Sequence, residues 1–130
     1  MNRGAPGRAP HHPSATRAAL VRFAHPSERL FAALLDVHEI EWEYEPVEFA
    51  LAWRDDGLPA AGFRPDFWLP AHGCFVELTT ADQRLVTRKN AKIRRLRQLY
   101  PDVALVVVYQ RDFLALLARN GLDPHGLRAA

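Results

Sequence analysis

The stretch at residues 63–80, FRPDFWLPAHGCFVELTT, consists of two short apolar runs that each contain one acidic residue. The first run contains Asp66 and the second contains Glu77. The Pro-Ala-His-Gly segment between the runs is typical of a turn, so we expect two neighbouring antiparallel strands. The fold must therefore accommodate two carboxyl groups within one small region of a sheet.

The two carboxyl groups need a positive partner if they are buried. An unpaired buried carboxylate is costly and tends to take up a proton, and two of them on neighbouring strands repel each other. Asp66, Glu77 and a backbone carbonyl near Leu78 offer the oxygen ligands that Mg²⁺ prefers, with Mn²⁺ as the alternative. The spacing leaves a second interpretation open, in which one or both acids face solvent on a half-covered sheet.

A helix is predicted at residues 82–100, DQRLVTRKNAKIRRLRQLY, and Pro101 ends it. Lys89 falls inside its apolar stripe, and Lys92 lies at the margin of that stripe. A lysine in a core-facing stripe either extends to water or reaches the carboxylates on the strands. In the second case it would stabilise charge that develops on a phosphate under attack. The apolar stripe consists of Leu85, Val86, Ile93, Leu96, Leu99 and Tyr100.

The rest of this helix is basic, with Asp82 as its one acidic residue. A one-sided positive surface indicates contact with phosphate groups, whereas a merely solvated helix would carry more glutamate for pairing along its length. Five glutamates lie between residues 39 and 48, so that part of the molecule cannot face a phosphate backbone. The arginines of the helix are Arg84, Arg88, Arg94, Arg95 and Arg97.

The remaining segments predict one helix before the acidic strands and a strand followed by a helix after them. HPSERLFAALLDVHEI predicts a helix capped by Ser27, with Glu28 in its first turn on the buried side. Residues 40–53 alternate with a break near Pro46, which is typical of two strands or one bulged strand. The apolar run VALVVVYQ indicates a strand covered on both faces, and the last helix ends at Gly121.

Together these elements predict one α/β domain at residues 25–121. Its order is a helix, an antiparallel meander of three to four strands, a crossover helix, a buried strand and a terminal helix. Residues 1–24 are rich in Pro and Arg and predict a disordered tail, and residues 122–130 predict a short C-terminal tail. The sequence shows no secretory signal and no apolar stretch of membrane-spanning length, so we expect a cytoplasmic protein without a membrane partner.

The ordered set of a helix with Glu28, the strand RPDFWLP, the strand VELT, a basic helix and an apolar strand resembles the PD-(D/E)XK nuclease superfamily. The FRPDF strand is similar to that of its small transposase-type and very-short-patch-type members. The resemblance covers roughly residues 27–110. It implies a restriction-endonuclease-like core and a metal-dependent endonuclease that hydrolyses phosphodiester bonds, with DNA favoured over RNA.

The resemblance also implies roles for individual acids. Asp66 matches the Asp of the PD pair, and Glu77 matches the second acid, so both would be metal ligands. Glu28 matches the acid on the first helix that many members use as an additional ligand. The cofactor implied is Mg²⁺, and the assembly implied is a homodimer or a larger complex.

Thr79 occupies the position of the motif lysine, which is a departure from the family pattern. Some members of this kind place that lysine on the following helix, where Lys89 is the first candidate and Lys92 the second. If neither reaches the site, the chain is a catalytically inactive nucleic-acid-binding module of the same fold. An interaction subunit without a nucleic-acid role is a third alternative.

The residues predicted to contact nucleic acid are Arg64, Gln83, Arg84, Arg88, Arg94 and Arg95.

Overall fold

The computed structural model describes residues 21–79 and 83–121, which form three helices and six strands. The predicted C-terminal tail lies outside these ranges, as do residues 1–20 of the predicted N-terminal tail. None of the three helices is both long enough and apolar enough to cross a bilayer. In chain order the elements are α1 (Pro26–Val37), β1 (Glu43–Tyr44), β2 (Phe49–Trp53), β3 (Pro59–Phe63), β4 (Phe67–Leu69), β5 (Cys74–Thr79), α2 (Gln83–Leu99), β6 (Leu105–Tyr109) and α3 (Gln110–Arg119).

The strands form one mixed sheet and one hairpin. The sheet has the order β1-β4-β5-β6, and the hairpin consists of β2 and β3. Strand β4 is antiparallel to both β1 and β5, whereas β6 is parallel to β5. Two parallel strands need a crossover connection, and helix α2 supplies it here. The predicted α/β class, the hairpin-like link between β4 and β5 and the crossover helix are therefore confirmed.

The predicted continuous meander is wrong, because the chain leaves the sheet between β1 and β4 to form the hairpin. The departure falls at the predicted break near Pro46. Glu45 adopts a left-handed backbone conformation with φ of 45°, and Pro46 has no N–H to donate to a strand partner. The alternating segment at residues 40–53 consequently forms two strands that belong to different sheets.

Buried apolar side chains lie on both faces of the sheet. Because side chains alternate along a strand, Val76 and Leu78 face the first cluster and Phe75 packs against the second. Glu77 thus points to the same face as Phe75, which is the face that carries helix α2. The first cluster comprises Leu30, Phe31, Ala32, Leu34, Leu35, Trp42, Phe67, Leu69, Val76, Leu78, Phe113 and Leu117. The second comprises Leu51, Phe63, Ile93, Leu96 and Leu105.

Phe67 lies at the centre of the first cluster and adjoins Asp66 in the chain. Its side chain is fully buried, and its ring centroid lies 5.3 Å from that of Phe31 and 5.6 Å from that of Trp42. Phe67→Ala should lower the free energy of unfolding by about 3–5 kcal/mol, because it removes buried area and leaves a cavity. Urea denaturation would measure the loss. Leu58→Ala, at an exposed position, should change stability by less than about 0.5 kcal/mol; equal losses would contradict this account of the core.

The first helix begins differently from the prediction. His25 rather than Ser27 is the N-cap, and Pro26 occupies the start of the helix, where its missing N–H costs nothing. Glu28 completes a capping box with His25. The prediction that Glu28 faces the buried side is confirmed. Phe23, within the predicted N-terminal tail, packs against the first cluster.

Strand β6 is the edge strand of the sheet rather than a fully covered one. Leu105 is buried, but Val106 is 49% exposed and Tyr109 is also exposed. The prediction of a strand covered on both faces is therefore wrong. The helices cover the middle of the sheet and leave part of β6 in contact with solvent. An apolar run of residues does not show whether its strand is central or at the edge of a sheet.

Candidate functional site

The two acids lie opposite each other, Glu77 within β5 and Asp66 immediately before β4. The pairing of Phe67 with Val76 sets the register of β4 and β5, and it places Asp66 across from Glu77. The backbone N–H of Asp66 donates to Glu77 Oε1 at 3.1 Å, and the N–H of Leu78 donates to Asp66 Oδ2 at 2.9 Å. Each carboxyl group is thus fixed by the backbone of the other strand.

Both acids are buried. Asp66 is 6% exposed and Glu77 is 3% exposed. The alternative in which one or both face solvent is therefore wrong.

Lys89 extends from helix α2 to this pair. Its Nζ lies 2.6 Å from Glu77 Oε2 and donates to the carbonyl oxygen of Leu78 at 2.7 Å. The position of Lys89 in the apolar stripe places it on the side of the helix that faces the sheet, and its side chain is partly exposed. The predicted proximity of Asp66, Glu77 and Lys89 is confirmed, whereas their catalytic roles stay predictions.

When both acids are ionised, the site carries more negative than positive charge. Burial, followed by the adjacent Glu77 carboxylate, raises the pKa of Asp66 to about 8. Burial also raises the pKa of Glu77, although the ammonium of Lys89 opposes that shift. The negative charge of Glu28 raises the pKa of both. One lysine does not neutralise these acids, and a further positive charge would be stabilised here.

The donor atoms suit a hard divalent cation. The oxygens of Asp66, Glu77 and Leu78 are the kind that Mg²⁺ and Mn²⁺ prefer, and the Lys89 ammonium already joins two of them. Within the described ranges, no three His, Cys, Asp or Glu side chains are grouped so that they could hold a metal ion. A cation here would therefore need the Leu78 carbonyl and water in addition to two carboxylates.

Glu28, the third predicted ligand, makes the contacts of a capping residue. Its Oε1 accepts hydrogen bonds from the N–H of Ala24 at 3.1 Å, from the N–H of His25 at 3.3 Å and from the Tyr44 hydroxyl at 2.5 Å. Burial and this bond to Glu28 raise the pKa of Tyr44. The contacts account for a buried glutamate without a metal, so the ligand role of Glu28 stays a prediction.

Two predicted functional residues of helix α2 hold the β2–β3 hairpin. Lys92 Nζ donates to the carbonyl oxygen of Gly62 at 2.9 Å, and Arg95 Nε donates to that of Leu51 at 3.2 Å. The hydrogen bond described for Lys92 therefore goes to the hairpin and not to either of the two acids. Sequence reasoning missed this role, because the hairpin's position against the helix depends on tertiary packing.

The other predicted nucleic-acid contacts are distributed over the surface. Arg88 and Arg94 are exposed on helix α2. Arg64 is exposed and lies 3.3 Å from the Glu48 carboxylate, so part of its charge is compensated. The side chains of Gln83 and Arg84, also predicted to contact nucleic acid, lie outside the described part of the structure.

The fold and the site define a mixed α/β domain with two buried acids and a lysine at the junction of two strands and a helix. No family model, curated protein or solved structure matches the chain. Membership of the PD-(D/E)XK superfamily therefore stays a prediction.

The raised pKa of Asp66 predicts a pH-dependent stability in the absence of divalent cations. The folded value of about 8 exceeds the ordinary value of 3.8, so the folded state binds the proton more tightly. The free energy of unfolding should consequently fall as pH rises from about 4 to about 8, by roughly 2–5 kcal/mol for this group. Urea denaturation in EDTA at several pH values would measure the slope.

Asp66→Asn should remove most of that slope and should be more stable than the parent at pH 8. Asn preserves an oxygen that can accept from Leu78 N–H. Asp102→Asn, at an exposed position, serves as the control and should leave the slope unchanged. An Asp66→Asn variant with the parent's full pH dependence would contradict the assignment of the shift to Asp66.

Proposed function

We propose that this chain is a divalent-cation-dependent nuclease of the PD-(D/E)XK type that hydrolyses phosphodiester bonds, with DNA as the favoured substrate. The observation that carries the proposal is the convergence of Asp66, Glu77 and Lys89. Two buried acids lie opposite each other, and an ammonium lies 2.6 Å from one of them. Such a set can bind a divalent cation and stabilise negative charge on a phosphate. Burying charged groups destabilises the folded state, and apolar residues at positions 66, 77 and 89 would avoid that loss of stability if the site were purely structural.

Each residue has a definite task in the proposed reaction. Asp66, Glu77 and the Leu78 carbonyl would hold Mg²⁺ or Mn²⁺. The bound cation would supply Lewis-acid polarisation of the phosphate and a lowered pKa of bound water. Lys89, at the partly exposed margin of the site, stabilises negative charge that develops on the phosphate oxygens. The hydrogen bonds from Leu78 N–H to Asp66 and from Asp66 N–H to Glu77 keep both carboxylates oriented before substrate binds.

The arrangement of elements supports the finer fold assignment within the proposal. Glu77 lies in β5, and Asp66 immediately precedes β4, the antiparallel neighbour of β5. The chain then passes through α2 into β6, which is parallel to β5. Helix α1 packs against the opposite face of the sheet through the first cluster. This is the order that the resemblance to a restriction-endonuclease-like core implies.

The distribution of charge supports a polyanionic substrate that approaches from the side of helix α2. Arg88 and Arg94 are exposed on the helix that also carries Lys89, and the described part of this helix has no acidic residue. Glu43 lies in β1, at the opposite edge of the sheet from β6. A phosphate backbone is attracted to the helix and repelled from that edge.

The proposal is tested by incubating the purified chain with labelled single-stranded DNA, duplex DNA, branched DNA and RNA in Mg²⁺ or Mn²⁺. Cleavage of at least one substrate is expected, and EDTA should abolish it. Absence of cleavage of every substrate with both cations would overturn the proposal.

A non-catalytic nucleic-acid-binding module is the second candidate, and Thr79 is the observation that favours it. Because the motif lysine is absent from β5, the proposed catalysis would depend on Lys89, whose Nζ lies 2.6 Å from Glu77 Oε2. This candidate predicts salt-dependent binding that survives Asp66→Ala and Glu77→Ala and that is lost when Arg88 and Arg94 are replaced. The parent would show no cleavage.

A further inference from the structure

Thr79 is a buried residue whose hydroxyl is not accounted for by the fold. It is the last residue of β5 and is 3% exposed. Its Oγ1 has no hydrogen-bond partner among the residues that the structure describes. An unpaired buried hydroxyl is destabilising, and valine would fill nearly the same space without that cost. The hydroxyl is therefore available to a group that does not belong to the described residues.

Thr79 is adjacent to the cluster of charged groups. Residues two apart in a strand share a face, so Thr79 and Glu77 both point to the side of helix α2. The carbonyl that accepts the hydrogen bond from Lys89 belongs to the peptide group joining Leu78 to Thr79. The hydroxyl, the ammonium and the carboxylate of Glu77 thus lie on the same face of the sheet near the end of β5, although the hydroxyl bonds to neither of the other two.

We propose that Thr79 Oγ1 is a substrate-binding group that donates a hydrogen bond to a non-bridging phosphate oxygen held beside Lys89. The proposal rests on the proposed function, because it requires a phosphodiester at this site. A hydroxyl adds a donor without adding charge. The phosphate oxygen would therefore gain a hydrogen bond without a second ammonium beside that of Lys89.

The test compares Thr79→Val, which removes the hydroxyl and keeps the shape, with Thr79→Ser, which keeps the hydroxyl. Binding of a fluorescent oligonucleotide, in single-stranded and duplex form, is measured by anisotropy with Ca²⁺ as the cation. Thr79→Val should raise the dissociation constant about tenfold, because a hydrogen bond to a charged group is lost, and Thr79→Ser should stay within about twofold of the parent. The urea midpoint of Thr79→Val should equal or exceed that of the parent.

Each other outcome overturns the inference. A lower urea midpoint with unchanged oligonucleotide binding would show that the hydroxyl has a structural partner. Unchanged stability together with unchanged binding would show that it holds only a water molecule or nothing. A parent that binds neither oligonucleotide would overturn it as well. A parent that binds but does not cleave in Mg²⁺ or Mn²⁺ would overturn the nuclease proposal alone, and the dissociation constants would still decide the role of Thr79.

Discussion

Asp66→Asn is expected to reduce the rate of phosphodiester cleavage by about 10³-fold or more at saturating Mg²⁺. Metal ions contribute several kcal/mol to the stabilisation of such transition states, and the substitution removes one of the two carboxylates proposed to hold the ion. The neutral side chain can still accept the hydrogen bond from Leu78 N–H, which is 2.9 Å from Oδ2 in the parent. Single-turnover cleavage of a labelled substrate would measure the rate.

Three comparisons make this test specific. Glu77→Gln should show a loss of similar size, and the double variant should lose little more, because residues that act as one unit are not additive. Asp102→Asn, which changes an exposed acid, should cleave at the parent's rate. A folded Asp66→Asn variant that keeps more than about a tenth of the parent's rate would contradict the ligand assignment, given the several kcal/mol expected from the metal.

Lys89→Met is expected to lower the cleavage rate by about 10²–10³-fold, which is the usual effect of removing one group that stabilises developing negative charge. Methionine preserves the apolar part of the side chain and removes the ammonium that lies 2.6 Å from Glu77 Oε2. Circular dichroism and urea denaturation would establish that the variant is folded. The loss should appear in kcat rather than in KM if Lys89 acts mainly on the transition state.

Lys92→Met is the matched comparison, since Lys92 lies one turn further along the same helix. Its Nζ donates to the Gly62 carbonyl in the hairpin, so the expected effect on cleavage is within about fivefold, less than 1 kcal/mol. An equal loss in the two variants would indicate that the positive charge of the helix matters as a whole. That result would remove the specific role given to Lys89.

The central part of the site was predictable because it depends on local periodicity. The turn between the apolar runs requires β4 and β5 to pair, which brings Asp66 close to Glu77. The helical period then places Lys89 on the side that faces the sheet. Burial of the acids was one of two interpretations that the pattern left open, because alternation does not show which sheet face is covered.

The remaining features depend on tertiary placement that no local pattern contains. Alternation at residues 40–53 predicted strands but could not show that β2 and β3 leave the sheet. The bonds of Lys92 and Arg95 to the hairpin carbonyls follow from that departure. Glu28 was correctly predicted to be buried, but its capping role required knowledge that His25 rather than Ser27 begins the helix.

The central claim is that Asp66 and Glu77 together hold a divalent cation, and titration calorimetry with Mn²⁺ at pH 8 tests it most directly. The parent should show saturable binding that releases protons, because the pKa of Asp66 is about 8 and the cation displaces the proton. Glu77→Gln should weaken this binding strongly, and Asp102→Asn should leave it unchanged. Binding to the parent that is not saturable, or equal affinity in the parent and Glu77→Gln, would contradict the account.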